Sequence, residues 1–331
     1  MTRSPDVRPG ARGGEHDPCR PRPRRIEPAL GANEAPDGSG AGFIIVAVLW
    51  ILGALATLAV IYTLYVNETA AAFADHNERL QAQALATSGL ELAAYRLTEI
   101  PNQRPSLGRF SFRQGSAAVT VVFSAENGRI DLNFAPKEIL AGLFSGLGAA
   151  ADTALFFADR IIAWRKPLAS GASDPEASVY QESGLIYGPR HGPFQSVDEL
   201  GLVPGMPIQF VDRALPYLTV YSGRGEVNVL SAPPAVLAAL PGLTPDRLQM
   251  LVTERSGAVP QDVMRAQLGL AANYITLQPT AANHVIVDMQ FRSRRRVRAE
   301  AVIFVLDKDS EPYRVLSWRD EELSADAPVA N

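Results

Sequence analysis

Cysteine is almost missing from this sequence, and histidine is scarce. The 331 residues include one cysteine, Cys19, and four histidines. A single thiol excludes an intramolecular disulfide, and beyond residue 42 it also excludes a thiol nucleophile. The histidines show no metal-ligand spacing, and no serine is singled out as a nucleophile by its neighbours; they are His16, His76, His191 and His284. We therefore expect a protein that is not an enzyme.

The chain also lacks an excess of positive charge. Its formal net charge is -4, and after residue 42 acidic side chains outnumber basic ones. That balance gives no electrostatic reason to expect a nucleic-acid partner. One segment differs, with basic residues at Arg292, Arg294, Arg295, Arg296 and Arg298. This cluster is either a contact for an acidic partner surface or a solvated hairpin turn whose charge opposes edge aggregation.

A long apolar run lies near the start of the chain. Residues 43–66 are 24 consecutive residues without a charge, and as a helix of about 1.5 Å per residue they would cross a bilayer. Residues 1–42 are rich in Pro and Gly and have no apolar periodicity, so we expect a disordered leader. Four arginines between Arg20 and Arg25 precede the run and acidic residues follow it. This asymmetry predicts a cytoplasmic leader and an exported remainder.

The junction Gly42-Phe43 joins the polar leader directly to the apolar run. It resembles a type IV prepilin-like site, where a peptidase cuts after Gly and exposes an apolar N-terminus. An ordinary signal-anchor helix with a cytoplasmic tail explains the same stretch, and the run alone leaves both interpretations open.

After the apolar run, the pattern predicts a helix followed by strands. Residues 67–97 lack proline and have an apolar stripe at helical spacing, formed by Ala82, Leu85, Ala86, Gly89, Leu92, Ala93 and Leu97. Strands are predicted at residues 109–113, 117–124 and 129–133, with Asn127-Gly128 as a hairpin turn. Alternating apolar residues predict two more strands over 284–291 and 297–305, and 313–318 could add a third.

Between these strand groups the sequence repeats itself. Residues 128–143 match residues 225–240, and both predict a short strand, a turn, and a helix beginning after Ala-Pro. Two further segments, 194–206 and 240–243, resemble helix–hairpin–helix units with Pro-Gly turns. Such units hold DNA backbone in some proteins. Only Arg213 and Arg247 lie near these turns, each beside an aspartate, so we expect the hairpins to serve packing.

One loop is a candidate metal site. Asp174 and Glu176, with nearby main-chain carbonyls, are hard oxygen donors that could suit Ca²⁺. Only these two carboxylates occur together, and an ordinary acidic surface loop explains them equally well.

An ordered series of segments along residues 42–318 resembles the GspK family, the large minor pseudopilins of bacterial type II secretion systems. Besides Gly42-Phe43 and the apolar run, the matching segments are Ala163-Trp164-Arg165, 192–200, Val203-Pro204-Gly205-Met206 and 218–223. The resemblance implies an α+β, pilin-like fold: a long N-terminal membrane-spanning helix on an antiparallel sheet, with a large inserted α-helical, SAM-like or helix–hairpin–helix-like domain. On this basis we expect a leader at 1–42, a transmembrane half-helix at 43–66 and an exported half-helix at 67–100. Sheet strands follow at 106–133 and 283–319, with the insertion at 134–282 and a tail at 320–331.

The resemblance also implies a function and partners. It implies cleavage after Gly42 and N-methylation of Phe43 by the prepilin peptidase, an inner-membrane location with a periplasmic head, and a pseudopilus tip complex with the minor pseudopilins I and J. The major pseudopilin is the remaining implied partner. Where many relatives have an acidic run after Ala-Trp-Arg, this chain has Lys166-Pro167-Leu168, which weakens the calcium assignment of the family. The alternative function from another class is a membrane-tethered, competence-like DNA-binding protein.

Packing within the membrane is expected to involve Phe43, Ala47 and Trp50. If Phe43 is the first mature residue, Ala47 is the fifth. Most pilin-like subunits have Glu there, and a carboxylate in an apolar environment needs a charged partner. Ala47 needs none, which suits a subunit at the end of a filament.

Overall fold

The computed structural model describes residues 40–99, 104–169, 171, 173–255, 269–306 and 311–323. The chain divides into two compact units, Met1–Ala70 and Ala71–Asn331. The leader prediction for residues 1–39 lies outside the described residues, as does the predicted tail from residue 324.

In the described part of the chain the helices are α1 (Gly40–Thr98), α2 (Lys137–Gly146), α3 (Ala151–Arg165), α4 (Pro175–Glu182), α5 (Ile208–Ala214), α6 (Pro234–Ala238) and α7 (Pro245–Glu254). The strands are β1 (Leu107–Gln114), β2 (Ala117–Ala125), β3 (Ile130–Asp131), β4 (Leu218–Thr219), β5 (Val227–Asn228), β6 (Ile275–Thr276), β7 (Ala282–Gln290), β8 (Arg296–Val305) and β9 (Tyr313–Leu323). Short 3₁₀ turns lie at Glu126–Gly128, Val197–Leu202, Leu215–Tyr217 and Gly269–Tyr274.

The first part of α1 contains the apolar segment. Phe43–Ala70 is 28 residues long, is apolar enough to cross a membrane, and buries none of its most apolar window within the protein. Its polar residues satisfy themselves locally, since the hydroxyls of Thr57 and Thr63 donate to the carbonyls of Gly53 and Ala59, each at 2.8 Å. Hydrogen bonds of this kind allow hydroxyl side chains in an apolar solvent.

The second part of α1 packs on the sheet. Its buried residues are Ala82, Leu85, Ala86, Leu90, Ala93, Ala94 and Leu97. The buried face is therefore rotated from the predicted stripe, because Leu92 is 42% exposed while Leu90 and Ala94 are buried. Gly89 allows the close approach of helix and sheet, since a Cβ on Gly89 would lie 3.0 Å from the side chain of Val287.

The sheet is five-stranded and antiparallel, in the order β1-β2-β7-β8-β9. The predicted alternation on its last strands is confirmed, because Val285, Val287 and Met289 on β7 and Val297, Ala299, Ala301, Ile303 and Val305 on β8 are buried against α1. The third strand of this group extends beyond the predicted range, and β9 continues to Leu323 through pairing with Arg296 on β8. The predicted boundary of the tail at residue 320 is therefore wrong.

The hairpin predicted at Asn127-Gly128 is also wrong. The turn between β1 and β2 lies at Gly115 and Ser116 instead. Asn127 is buried, and its side-chain amide donates to the carbonyl of Gln278 at 2.9 Å. Asn127-Gly128 therefore lies at the start of the inserted domain, and it contacts the end of that domain just before β7. Of the strand predicted at 129–133, only Ile130–Asp131 forms a strand, and it pairs with β4 rather than with β2, which places it in the insertion.

The inserted domain occupies the chain between β2 and β7, which are neighbouring strands of the sheet. It has its own apolar core of residues from α2 to α7 and from two small parallel strand pairs, β3 with β4 and β5 with β6. Aromatic rings lie at its centre, with Phe144 against Phe157 at 5.3 Å and Phe157 against Phe210 at 5.4 Å. The architecture is thus the predicted one, a long N-terminal helix on an antiparallel sheet with a helical domain inserted into the sheet.

The repeat predicted from sequence has matching local structure in both copies. Asp131 accepts a hydrogen bond from the amide of Asn133, and Asn228 accepts one from the amide of Leu230. Each strand then leads into a helix, α2 in the first copy and α6 in the second. The repeat extends further than the sequence match. The hydroxyls of Thr219 and Thr276, on β4 and β6, each accept a bond from the amide two residues later, at 3.0 and 3.1 Å.

The two copies contact each other through equivalent positions. A Cβ on Gly128 would lie 2.6 Å from Ser231, and a Cβ on Gly225 would lie 2.7 Å from the carbonyl oxygen of Phe134. Phe134 and Ser231 occupy the same position in the two copies, so the contact is reciprocal. Such reciprocity is the property of a twofold relation, here between two segments of one chain. Gly142 of α2 also meets its own equivalent in the second copy, Ala239.

We expect Gly142→Ala to disrupt this contact between the copies. The added methyl group would lie 2.1 Å from the carbonyl oxygen of Ala239, and overpacking against backbone costs about 1–3 kcal/mol. Gly146→Ala, in the same helix, is the matched control, because nothing lies within 4 Å of its added methyl group. Denaturant unfolding of the full chain in detergent should show a lower midpoint for Gly142→Ala alone. Equal midpoints for the two variants would contradict the close contact.

Candidate functional site

The residues expected to pack in the membrane share one face of α1. At 3.6 residues per turn, Phe43, Ala47 and Trp50 lie within about 60° of one another. The rings are well exposed, Phe43 and Trp50 at 77% each. Beside Trp50 runs a shallow groove of about 480 Å³ lined by Val46, Leu49, Trp50, Gly53, Ala54 and Thr57. Small residues next to a large ring form the surface by which helices approach closely in lipid.

The predicted processing junction lies at the beginning of this helix. Gly42 and Phe43 are the third and fourth residues of α1, which begins at Gly40. Residues 1–39 lie outside the described residues. Cleavage after Gly42 therefore stays a prediction from the sequence.

The Ala163-Trp164-Arg165 segment has a structural role in the inserted domain. The guanidinium of Arg165 donates to the carbonyls of Leu132 and Ala135, the latter at 2.7 Å. These carbonyls belong to the turn that leads into α2. The ring of Trp164 stacks on Phe194 with centroids 5.6 Å apart. The segment therefore joins α3 to the turn before α2 and to the loop around residue 194. Arg255 makes a corresponding bond to the carbonyl of Ala232 in the second copy.

Asp174 and Glu176 lie at the N-terminus of α4, but they bind different partners. Asp174 caps the helix, accepting from the amides of Glu176 and Ala177 at 3.1 Å each, and its other oxygen lies 2.7 Å from Nε2 of His191. Burial alone would raise the pKa of Asp174, but the bonds from His191 and Ala177 outweigh it and lower the pKa. Glu176 pairs with Arg160 at 3.0 Å, and burial raises its pKa although Arg160 opposes this.

This donor set does not fit a calcium ion. Ca²⁺ takes six to eight oxygen ligands, whereas here Arg160 and His191 occupy the two carboxylates. Among the residues that the structure describes, no three His, Cys, Asp or Glu side chains converge as a metal-binding set. Contacts between protein side chains thus link α3, α4 and the loop at His191.

The Pro-Gly turns have exposed glycines, Gly205 and Gly242, but the first turn also packs within the domain. Gly205 and Gly242 have positive φ angles of 76° and 77°, as predicted for such turns. A Cβ on Gly205 would lie 2.9 Å from the ring of Phe156, and Met206 packs against the core of the inserted domain. Arg213 and Arg247 are exposed. This arrangement supports the packing interpretation over DNA binding.

A polar network between the inserted domain and the sheet was not predicted from the sequence. The buried carboxylate of Glu126 accepts from the hydroxyl of Thr219 at 2.6 Å. Arg129 lies 2.7 Å from Nδ1 of His284 on β7, and Nε2 of His284 lies 3.7 Å from Glu300 on β8. The facing His284 is the main cause that lowers the pKa of Glu300, against the effect of its burial.

The network fixes the histidine tautomer and joins the two parts of the head. Because arginine can only donate, Nδ1 of His284 must accept, so Nε2 holds the proton that faces Glu300. These residues line a cavity of about 410 Å³ between the sheet and the inserted domain. Arg129 and His284 are far apart in sequence, and no local pattern marks them as partners.

We expect calcium to leave the thermal stability of the protein unchanged. Full-length protein in detergent should unfold at the same temperature with excess Ca²⁺ and with chelator, since Arg160 and His191 already pair with the two carboxylates. His191→Ala should lower the unfolding temperature by a few degrees in both conditions, because it removes a partner of Asp174. His76→Ala, at an exposed position of α1, is the control. A rise in unfolding temperature on adding Ca²⁺ would show that Asp174 and Glu176 do bind metal.

Comparison with known proteins relates this architecture to a family. The family model described as Type II secretion system (T2SS), protein K, matches residues 123–223, which cover the end of β2 and the first repeat copy. Type II secretion system protein K of Klebsiella pneumoniae is 32% identical over 121 residues, which is 35% of this chain and 36% of that protein. The alignment thus spans about a third of the length of that relative.

A solved structure shares the fold of the chain. It is the crystal structure of the GspK-GspI-GspJ complex from the enterotoxigenic Escherichia coli Type 2 Secretion System. One of its chains matches with a TM-score of 0.54 and 16% identity, covering 75% of this chain and 99% of that one. At this identity the likeness shows the fold alone. Residues 123–223 of this chain are thus similar to the type II secretion system protein K family.

Proposed function

We propose that this chain is a minor pseudopilin of a type II secretion system and forms the tip of the periplasmic pseudopilus that drives export of folded proteins across the outer membrane. One observation supports this most directly: a domain of the protein K family lies between adjacent strands of a pilin-like sheet, in a chain whose N-terminal helix begins with a membrane-length apolar segment. The proposed role is assembly and not catalysis.

The exposed surface of α1 supports a role in assembly. Beyond the apolar segment, Leu80 and Tyr95 remain 53% and 62% exposed on the side of the helix away from the sheet. A helix that buries one face in its own head and exposes apolar residues on the other suits packing against helices of sister subunits. Trp50 and the groove beside it would provide the same kind of contact within the membrane.

Two features favour a position at the end of the filament. Ala47 cannot pair with the N-terminal ammonium of a neighbouring subunit as a glutamate would. The inserted domain lies between Glu126 and Ala281. A domain of this size suits a subunit that caps the filament more than one that repeats along it. In this arrangement the leader is cytoplasmic, the chain crosses the inner membrane once, and the head is periplasmic.

The proposed partners are the minor pseudopilins I and J, with the major pseudopilin below them and the prepilin peptidase as the processing enzyme. The solved structure with this fold is of a complex that contains GspI and GspJ. A subunit at the tip contacts other subunits on one side only, and α1 has one exposed apolar face that could serve this contact.

We expect the full-length chain to co-purify in detergent with coexpressed pseudopilins I and J as one complex in size-exclusion chromatography. In membranes, Trp50→Ala should reduce crosslinking to neighbouring pseudopilin helices several-fold. Tyr62→Ala, which removes an exposed ring from another face of α1, should not. Absence of any association, together with a salt-sensitive shift of DNA, would instead support the DNA-binding alternative.

We also expect the mature protein to begin at Phe43. Intact mass and N-terminal sequencing of membrane-purified protein, from cells with an active prepilin peptidase, should show a methylated phenylalanine. Gly42→Val should block the cleavage, because a bulky side chain then precedes the bond. Gly40→Val is the matched control and should be processed. Residues found ahead of Phe43 in the wild-type protein would overturn the assignment.

A further inference from the structure

The hairpin between β7 and β8 has an unusual density of positive charge. It contains four arginines in its turn and at the start of β8, namely Arg292, Arg294, Arg295 and Arg296. Arg292 and Arg294 are exposed at its tip. We refer to residues 291–296 as the arginine hairpin.

The arginine hairpin is attached to α1 at a defined height. The hydroxyl of Ser293 donates to Oε2 of Glu78 at 3.1 Å, and a guanidinium nitrogen of Arg295 lies 4.0 Å from the same oxygen. The turn between β1 and β2 reaches the helix at the same level, since a Cβ on Gly115 would lie 3.3 Å from the side chain of Gln81. This end of the sheet is therefore the one that follows the apolar segment along the helix.

Chain connectivity keeps this end close to the membrane. Glu78 follows Ala70, the last residue of the apolar segment, by eight residues of α1. Even fully extended, eight residues span at most about 29 Å, so the chain holds the hairpin within that distance of the end of the apolar segment. This proximity requires only that the apolar segment spans a membrane, whatever the function of the protein.

The turn of the hairpin has a backbone conformation at position 294 that favours glycine over arginine. Arg294 has a φ of 69°, in the left-handed region, where glycine fits without cost and other residues are strained. The amide of Arg294 donates to the carbonyl of Phe291 at 3.2 Å to close the turn. Glycine would form this turn more readily, so conformational preference does not explain the charge at this position.

Neighbouring acids neutralise only part of the charge. Glu78 faces Ser293 and Arg295, while Asp288 pairs with Arg298 on the adjoining strand, at 2.7 Å. Glu321 also lies near Arg298. Arg292 and Arg294, the two arginines at the tip, are exposed and have no acidic partner among the described side chains.

We propose that the arginine hairpin docks on anionic phospholipid headgroups of the membrane that α1 crosses. The chemistry is that of guanidinium groups with phosphate, which arginine binds through paired hydrogen bonds. An anionic surface attracts nearby basic residues. Each arginine near the surface should raise the equilibrium constant for docking about fivefold. The contact would hold the head against the bilayer before assembly.

The test uses the full-length chain reconstituted in nanodiscs of phosphatidylcholine, with or without phosphatidylglycerol. Gln114→Cys in a Cys19→Ser background places one fluorophore at the neighbouring turn, because Cys19 is the only cysteine. A headgroup-attached quencher in both lipid mixtures reports docking. We expect stronger quenching with phosphatidylglycerol, and loss of the difference at high salt, as screening requires.

Arg292→Gln with Arg294→Gly should lower the docking equilibrium by roughly 25-fold, at about fivefold for each arginine. The Arg294→Gly change relieves the positive φ, so the thermal stability should stay equal or rise, which separates lost docking from unfolding. Arg213→Gln with Arg224→Gln removes the same charge from exposed sites of the inserted domain and should leave docking unchanged. Equal quenching in both lipid mixtures, or equal effects of the two double variants, would overturn the proposal.

Discussion

Much of this structure depends on the close contact between α1 and the sheet. The helix is apolar on all sides in its first part and apolar on one face in its second, so the same element meets lipid and then a protein core. Small residues such as Ala86, Gly89 and Ala93 let the helix approach β7, and the β-branched Val287 fills the space that Gly89 leaves. Larger residues there would lift the helix from the sheet and expose both.

The sheet tolerates a large insertion because the strands before and after the insertion, β2 and β7, pair in a fixed register. β2 and β7 pair along most of their length although the inserted domain separates them in sequence. Buried polar contacts at the junction then set the entry and exit of the insertion. Asn127 binds the chain near Gln278 and Thr280, and Asn228 binds Ser106. A buried amide that loses such a partner costs about 1–3 kcal/mol, so these contacts also specify how the domain is placed.

The features that the sequence predicted are those with a local cause. The apolar run, the alternation on β7 and β8, the Pro-Gly turns and the repeat each follow from neighbouring residues. The Asn127-Gly128 hairpin was wrong because a distant partner, Gln278, decides its conformation. The pairing of Arg129 with His284 likewise depends on two residues brought together by the fold. Asp174 and Glu176 were recognised as a carboxylate pair, but Arg160 and His191, which decide what they bind, come from other elements.

The two repeat copies show how one local design can serve different surroundings. In the second copy the turn residue is Asn228, whose amide can both accept from Leu230 and donate to Ser106. In the first copy it is Asp131, which can only accept, and its second oxygen takes bonds from Ser222 and the amide of Gly223. Burial raises the pKa of Asp131 against these bonds. In the first copy the facing amide of Gly223 can only donate, which suits Asp131, whereas in the second copy the hydroxyl of Ser106 accepts from the amide of Asn228. The bonds of Asp131 tie the first copy to the loop after β4, where the matched protein K domain ends.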